Sequence, residues 1–119
     1  MDDALRTSST IRPFIGTVTV SFSDAIIASS KDAKVLCIPG KDEVFFLPFE
    51  DIYFDFLTLT RETRPTGPGS AAYWRVNAVG EAAENFMWSY EVADGEDHLV
   101  LERHAAFDPA KARIEAVPA

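Results

Sequence analysis

Apolar and polar residues alternate with a period of two along much of this chain. Phe14, Gly16, Val18, Val20 and Phe22 share one side of an extended segment, and Thr17, Thr19 and Ser21 share the other. That is the pattern of a strand with one buried and one wet face. The same reading gives strands at Pro13–Phe22, Ala25–Ser29, Lys34–Pro39, Glu43–Leu47, Ile52–Thr60, Tyr73–Val79, Ala82–Tyr90, Leu99–Phe107 and Ala112–Val117. Turn residues separate them: Ser23-Asp24, Gly40-Lys41-Asp42, Pro48 to Asp51, and Gly80-Glu81. Ile52, Phe54, Phe56 and Leu59 are not all in phase, which points to a bulge near Thr58. Arg61 to Ser70, with Pro65, Gly67, Pro68 and Gly69, reads as the longest loop. Ala110 to Ala116 reads alternatively as a helical turn.

Eight to nine short strands at even spacing predict an all-β fold of two packed antiparallel sheets with little helix. Residues 1–12 are polar and read as a flexible N-terminal arm; 13–119 read as one all-β domain. A chain of 119 residues buries a sizeable core without staples.

Charge and cysteine content narrow the partners. The formal net charge of −8 disfavours nucleic acid and anionic membranes, and lysines and arginines are scattered. The N-terminus lacks a signal-peptide pattern, and no apolar run approaches the roughly 20 residues that span a bilayer. The expectation is a cytoplasmic protein with no membrane partner. Cys37 is the single cysteine, which excludes an internal disulfide. In the run Val35-Leu36-Cys37-Ile38 it reads as a buried thiol acting as a small hydrophobe.

Candidate chemistry concentrates in two aromatic stretches, Ala71-Ala72-Tyr73-Trp74 and Asn85-Phe86-Met87-Trp88-Ser89-Tyr90. Strand periodicity sends Phe86, Trp88 and Tyr90 to one face and Asn85, Met87 and Ser89 to the other. Buried Trp and Tyr need partners for their polar tips, which suits either a core or the wall of a cleft. The ligand-binding candidates are Tyr73, Trp88 and Tyr90, with Arg64, Arg75 and Asn85 as polar contacts. Arg61, Arg64 and Arg75 together would suit an anion, or simple ion pairing with the abundant carboxylates.

Other constellations are weaker. Asp51 and Asp55, four residues apart on a strand, would be more than about 10 Å apart, too far for one metal. Asp51 reads better as a turn residue. His98, Glu102 and His104 share one strand face, and would need a ligand from a neighbouring strand to hold a metal. No metal site and no cofactor is expected. Gly69-Ser70 lacks the carboxylate pair of a nucleotidyl transferase, and no Gly-x-x-x-x-Gly-Lys loop is present.

Four segments together resemble a family. They are Phe45-Phe46-Leu47-Pro48-Phe49-Glu50-Asp51-Ile52, Ala71-Ala72-Tyr73-Trp74, Glu84-Asn85-Phe86-Met87-Trp88-Ser89-Tyr90-Glu91 and Ala105-Ala106-Phe107. The chain resembles a bacterial family known as domain of unknown function 427, to which a nucleotidyltransferase label is sometimes attached. The resemblance implies a β-tent, two antiparallel sheets leaning together, as in methionine-R-sulfoxide reductases and the ligand domain of cereblon. Those relatives often hold zinc with two Cys-x-x-Cys pairs, which this chain lacks. Many family members carry Thr-x-Cys-Pro-x-Lys-Gly before the Ala-x-Tyr strand. Here that stretch is Thr63-Arg64-Pro65-Thr66-Gly67-Pro68-Gly69, without the Cys or the Lys.

The functional expectation is a small-ligand or partner-binding module with an aromatic-lined cleft. The alternatives are a nucleotide-using, transferase-like enzyme and a structural protein that forms a homodimer through a sheet edge. No catalytic residue is assigned.

Overall fold

Ten segments take up strand geometry in a computed structural model that describes residues 10–37, 40, 42–66, 69–93 and 103–119, with side chains described outside 61–70 and 90–93. They are β1 (Thr10–Pro13), β2 (Gly16–Phe22), β3 (Ala25–Ser30), β4 (Lys34–Cys37), β5 (Val44–Pro48), β6 (Leu57–Thr66), β7 (Gly69–Ala78), β8 (Glu81–Ala93), β9 (His104–Phe107) and β10 (Arg113–Pro118). Two antiparallel sheets result. The large one runs β1-β4-β5-β9-β8-β7-β6 and the small one β10-β2-β3. Among the described residues the only helical pieces are short 3₁₀ turns at Phe49–Asp51 and Phe54–Phe56. The expected all-β architecture of two antiparallel sheets is the one observed.

The main core lies between the sheets. Val18, Val20 and Ile27 of the small sheet join Leu47, Val76, Phe86, Met87 and Phe107 of the large one. The alternation of β2 predicts this: Val18 and Val20 are fully buried, while Thr17, Thr19 and Ser21 are not. Phe86 ties the layers together, with its ring edge-on to Phe22 at 5.4 Å and to Phe107 at 5.7 Å. Such pairs add about 0.5–1.5 kcal/mol to the burial itself. Gly16 forms the corner where the chain passes from the large sheet into the small one. A Cβ there would collide with the Val117 carbonyl oxygen, so the close approach of β2 and β10 requires glycine.

The structure departs from the sequence pattern in several places. Thr10–Pro13, of which Thr10–Arg12 read as part of an arm, pairs as β1 with β4; Ile11 stands opposite Leu36. Residues 1–9 lie outside the described residues. Ile52–Thr60 is not one strand. Ile52 makes a single bridge to Ala28, and Tyr53 N–H donates to the Ile27 carbonyl at 2.8 Å. A 3₁₀ turn follows, which explains why Phe54 and Phe56 fall out of phase; both pack on the main core. The ladder irregularity anticipated near Thr58 falls between Leu59 and Thr63.

The loop expected at Arg61 to Ser70 is largely strand. β6 continues to Thr66, and Thr63, Arg64, Pro65 and Thr66 pair with Ala72, Ala71, Ser70 and Gly69. Pro65 lies on the edge strand of the sheet, the position where proline is tolerated because alternate backbone groups face away from the ladder. Gly67 and Pro68 lie outside the described residues. Of the strand expected over Leu99–Phe107, only His104–Phe107 is described as strand, and 99–102 lie outside the described residues. Before β10 the chain turns tightly, with Lys111 and Ala112 N–H both donating to the Asp108 carbonyl.

Candidate functional site

The large sheet has two different faces, and β7 shows why. Trp74, Val76 and Ala78 belong to the main core, so Tyr73, Arg75 and Asn77 between them turn the opposite way. Arg75 and Asn77 are exposed and Tyr73 is partly buried. On this outer face Leu36, Phe46 and Ala106 form a second, smaller apolar cluster, against which Ile11, Val44 and Trp88 pack.

Cross-strand register assembles the candidate residues there. Tyr73 stands directly opposite Trp88, and Trp88 directly opposite Ala106. Two residues along, Arg64 pairs with Ala71 and Ala71 with Tyr90. Tyr73 and Trp88 thus share one row of the β7-β8 ladder, and Arg64 and Tyr90 lie in the next row but one, beyond Thr63, Ala72 and Ser89. The side chains of Arg61, Arg64 and Tyr90 lie outside the described residues, as do His98 and Glu102. Arg75 follows Tyr73 by one strand repeat, roughly 7 Å along β7. Its Nε lies 3.0 Å from Glu84 Oε2 in an exposed pair.

The expected common face for Phe86, Trp88 and Tyr90 does not survive. Phe86 and Met87, though adjacent, both lie in the main core, while Trp88 packs on the outer cluster. The cause is a bulge. Between the pairs Trp74↔Met87 and Val76↔Ala83, β7 advances two residues and β8 advances four. The extra length is absorbed where Asn85 adopts φ of 52°, a left-handed conformation that Asn tolerates better than most residues. Asn85 therefore sits at a kink beside Glu84 and Arg75 rather than opposite Trp88 on a regular strand.

Trp88 is the most informative member of the group. Its ring meets Phe46 edge-on at 6.4 Å and 87°. Its Nε1–H has no hydrogen-bond partner among the described residues. No buried side-chain polar atom there lacks a partner, so this donor is open to solvent. Tyr73 holds the neighbouring strand through its backbone: Thr60 Oγ1 donates to the Tyr73 carbonyl at 2.9 Å.

The remaining sequence candidates have structural explanations. Asp51 Oδ2 accepts a 2.6 Å hydrogen bond from Ser30 Oγ, which in turn accepts from Asp32 N–H at 2.9 Å. Asp51 thus fastens the turn after β5 to the end of β3. Asp55 is exposed in the second 3₁₀ turn. His104 lies on β9 opposite Pro48. No three His, Cys, Asp or Glu side chains among the described residues gather closely enough to hold a metal.

Cys37 is not the buried thiol that its apolar run suggests. It is partly exposed at the end of β4. Arg12 Nη1 lies 2.8 Å from its sulfur, and Arg12 Nη2 lies 2.8 Å from Glu43 Oε2. The hydrogen bond from Arg12 is the chief reason the Glu43 carboxyl is held below its ordinary range, with Cys37 adding to it. Glu43 in turn raises Arg12. Sequence reading missed this cluster because it spans β1, β4 and the entry to β5, which pair only in the fold. It also missed the outer apolar cluster. The unbroken run Val44-Phe45-Phe46-Leu47 was its signal, since such a run implies burial on both faces. Phe45 and Leu47 do face the main core, and Val44 and Phe46 the outer cluster.

A separate depression of about 370 Å³, lined by Ile15, Thr17, Lys31 and Val117 among others, lies at the end of the small sheet. None of the six candidate residues lines it. No curated protein matches the chain. The residues that carry the outer aromatic row, the Pro48 turn and β9 fall within a match to a family model covering residues 10–118, and the chain belongs to that family, described as domain of unknown function DUF427.

Proposed function

We propose that the outer face of the large sheet, around Tyr73 and Trp88, binds a flat small molecule carrying an anionic group. The observation that carries this reading is Trp88: partly buried, directly across from Tyr73, with an indole N–H that no described residue uses. A stacked ring gains apolar contact there, and the open donor gives it orientation. Arg75 supplies the charge. Its Nε is engaged by Glu84, and no described residue engages its terminal nitrogens, which suit a carboxylate or phosphate. Arg64 is placed by its backbone alone, on β6 opposite Ala71.

Fluorescence titration tests the proposal. In a Trp74→Phe background Trp88 is the sole tryptophan. AMP serves as a flat anionic probe and ribose 5-phosphate as the same anion without a ring. Saturable change with AMP, and little with ribose 5-phosphate, is expected. No change with either at millimolar concentration, or an undiminished response when Arg75→Gln is added to the same background, would sink the reading. Thermal stabilisation that appears only when magnesium accompanies ATP would instead favour a nucleotide-using enzyme.

A further inference from the structure

We propose that β10 is the interface of a symmetric homodimer, pairing antiparallel with β10 of a second copy about a two-fold axis at Ile114. β10 is one edge of the small sheet, and every residue on it except Ile114 is exposed. The opposite edge, β3, is already covered by the Ile52 bridge and the Tyr53-to-Ile27 hydrogen bond.

The backbone accounting shows which groups await a partner. Ala119 N–H donates to the Ile15 carbonyl at 3.1 Å, and this pair continues the β2–β10 register. Hydrogen-bonding direction alternates along a strand, so Arg113, Glu115 and Val117 also turn their backbone groups toward β2. Ile114 and Ala116 turn theirs to the open edge. Pro118 has the same phase and no N–H, so the one residue unable to donate stands where donation would be to solvent. An open edge of this kind is a template for another strand.

Charge selects both the occupant and the register. Arg113 and Glu115 are two apart and both exposed, and their contact within the chain is a marginal 4.0 Å. In an antiparallel pair centred on Ile114, Arg113 of each copy lies opposite Glu115 of the other. Two symmetric ion pairs form on the outer side of the joined sheet. Ile114 exchanges two backbone hydrogen bonds with its counterpart, and the two Ile114 side chains meet on the core side. Centring on Glu115 would place like charges opposite each other. Centring on Ala116 would set Glu115 against Val117 and leave both charges unpaired. Edge charges usually repel a stray strand; this opposite pair instead admits one partner in one register.

Charge reversal tests the proposal on the full chain, with far-UV circular dichroism confirming that each variant is folded. Sedimentation and light scattering across a concentration series should show a monomer–dimer equilibrium for the natural sequence. Glu115→Arg places Arg opposite Arg, and Arg113→Glu places Glu opposite Glu. Each should weaken the dimer by roughly tenfold or more. The double variant, Arg113→Glu with Glu115→Arg, should restore it. Mixing the two single variants should restore it too, as a heterodimer, since every cross-strand pair is then of opposite sign. A monomer at all concentrations overturns the proposal. So does a dimer indifferent to the reversals, or one that the mixture fails to rescue.

Discussion

Trp74 and Trp88 lie on adjacent strands of one sheet, yet they belong to opposite faces and lead different lives. Trp74 is turned into the main core. It packs against the Phe54 ring at 5.2 Å and donates its Nε1–H to Ser89 Oγ at 3.2 Å. Trp88 is turned outward, rests on a small cluster centred on Phe46, and leaves its donor unused. The residue type is the same; what differs is what lies above it. Over Trp74 there is a second layer of protein. Above Trp88 no second sheet is laid among the described residues, and no described residue accepts its indole N–H. Of the two indole N–H groups, only that of Trp88 lacks a partner among the described residues.

The largest effect that would sharpen this contrast comes from the closed face. Phe86 is fully buried and links both sheets, so Phe86→Ala should cost about 3–5 kcal/mol in urea unfolding. A loss below 1 kcal/mol would show that the inter-sheet core is not the main support. The bulge that separates the faces comes next. Asn85→Val places a β-branched residue at a left-handed φ and should cost about 1–2 kcal/mol, whereas Asn85→Gly should cost nothing measurable. Equal effects from the two would argue that the kink is not held by Asn85.

The open face gives a smaller stability change and a clearer spectroscopic one. Trp88→Ala should cost about 1–2 kcal/mol, since its ring is only partly buried. The single-tryptophan variants separate the two faces directly. With Trp74→Phe, the emission of Trp88 should be red-shifted and readily quenched by acrylamide. With Trp88→Phe, that of Trp74 should be blue-shifted and protected. Identical quenching would erase the comparison.

The smallest effect concerns the far end of the same sheet. Glu43 is held low chiefly by Arg12, so its contribution to stability is present above the ordinary glutamate range. That contribution fades as pH falls through the lowered value. The natural protein should therefore lose slightly more stability than Glu43→Gln on strong acidification. Parallel curves would mean that this exposed pair adds nothing, as many such pairs do.

The sequence made some of this legible and hid the rest for identifiable reasons. The alternation from Phe14 to Phe22 was decisive because one face of β2 meets the core and the other meets water. Aromatic content and family resemblance group Tyr73, Trp88 and Tyr90, and charge adds Arg64 as an anion contact; the ladder sets Arg64 and Tyr90 two residues along from Tyr73 and Trp88. Phe86 was misplaced because periodicity assumes an unbroken strand. Asn85, the non-glycine residue type most at ease with positive φ, was the available hint. The extension of β6 through Arg61–Thr66 was hidden because Pro and Gly mark loops by local preference. Pairing with Gly69–Ala72 overrides that preference at a sheet edge.

The segment laid along β3 governs how far assembly can go. With Ile52 and Tyr53 seated there, the small sheet has a valence of one. A sheet open at both sides would add copies without end and grow as a fibre. With one side shut, pairing through β10 as proposed would satisfy two molecules and stop there. Loosening that segment, for instance by cutting the Ser30–Asp51 link that fastens its turn, would give the small sheet a second open edge and let the proposed pairing propagate.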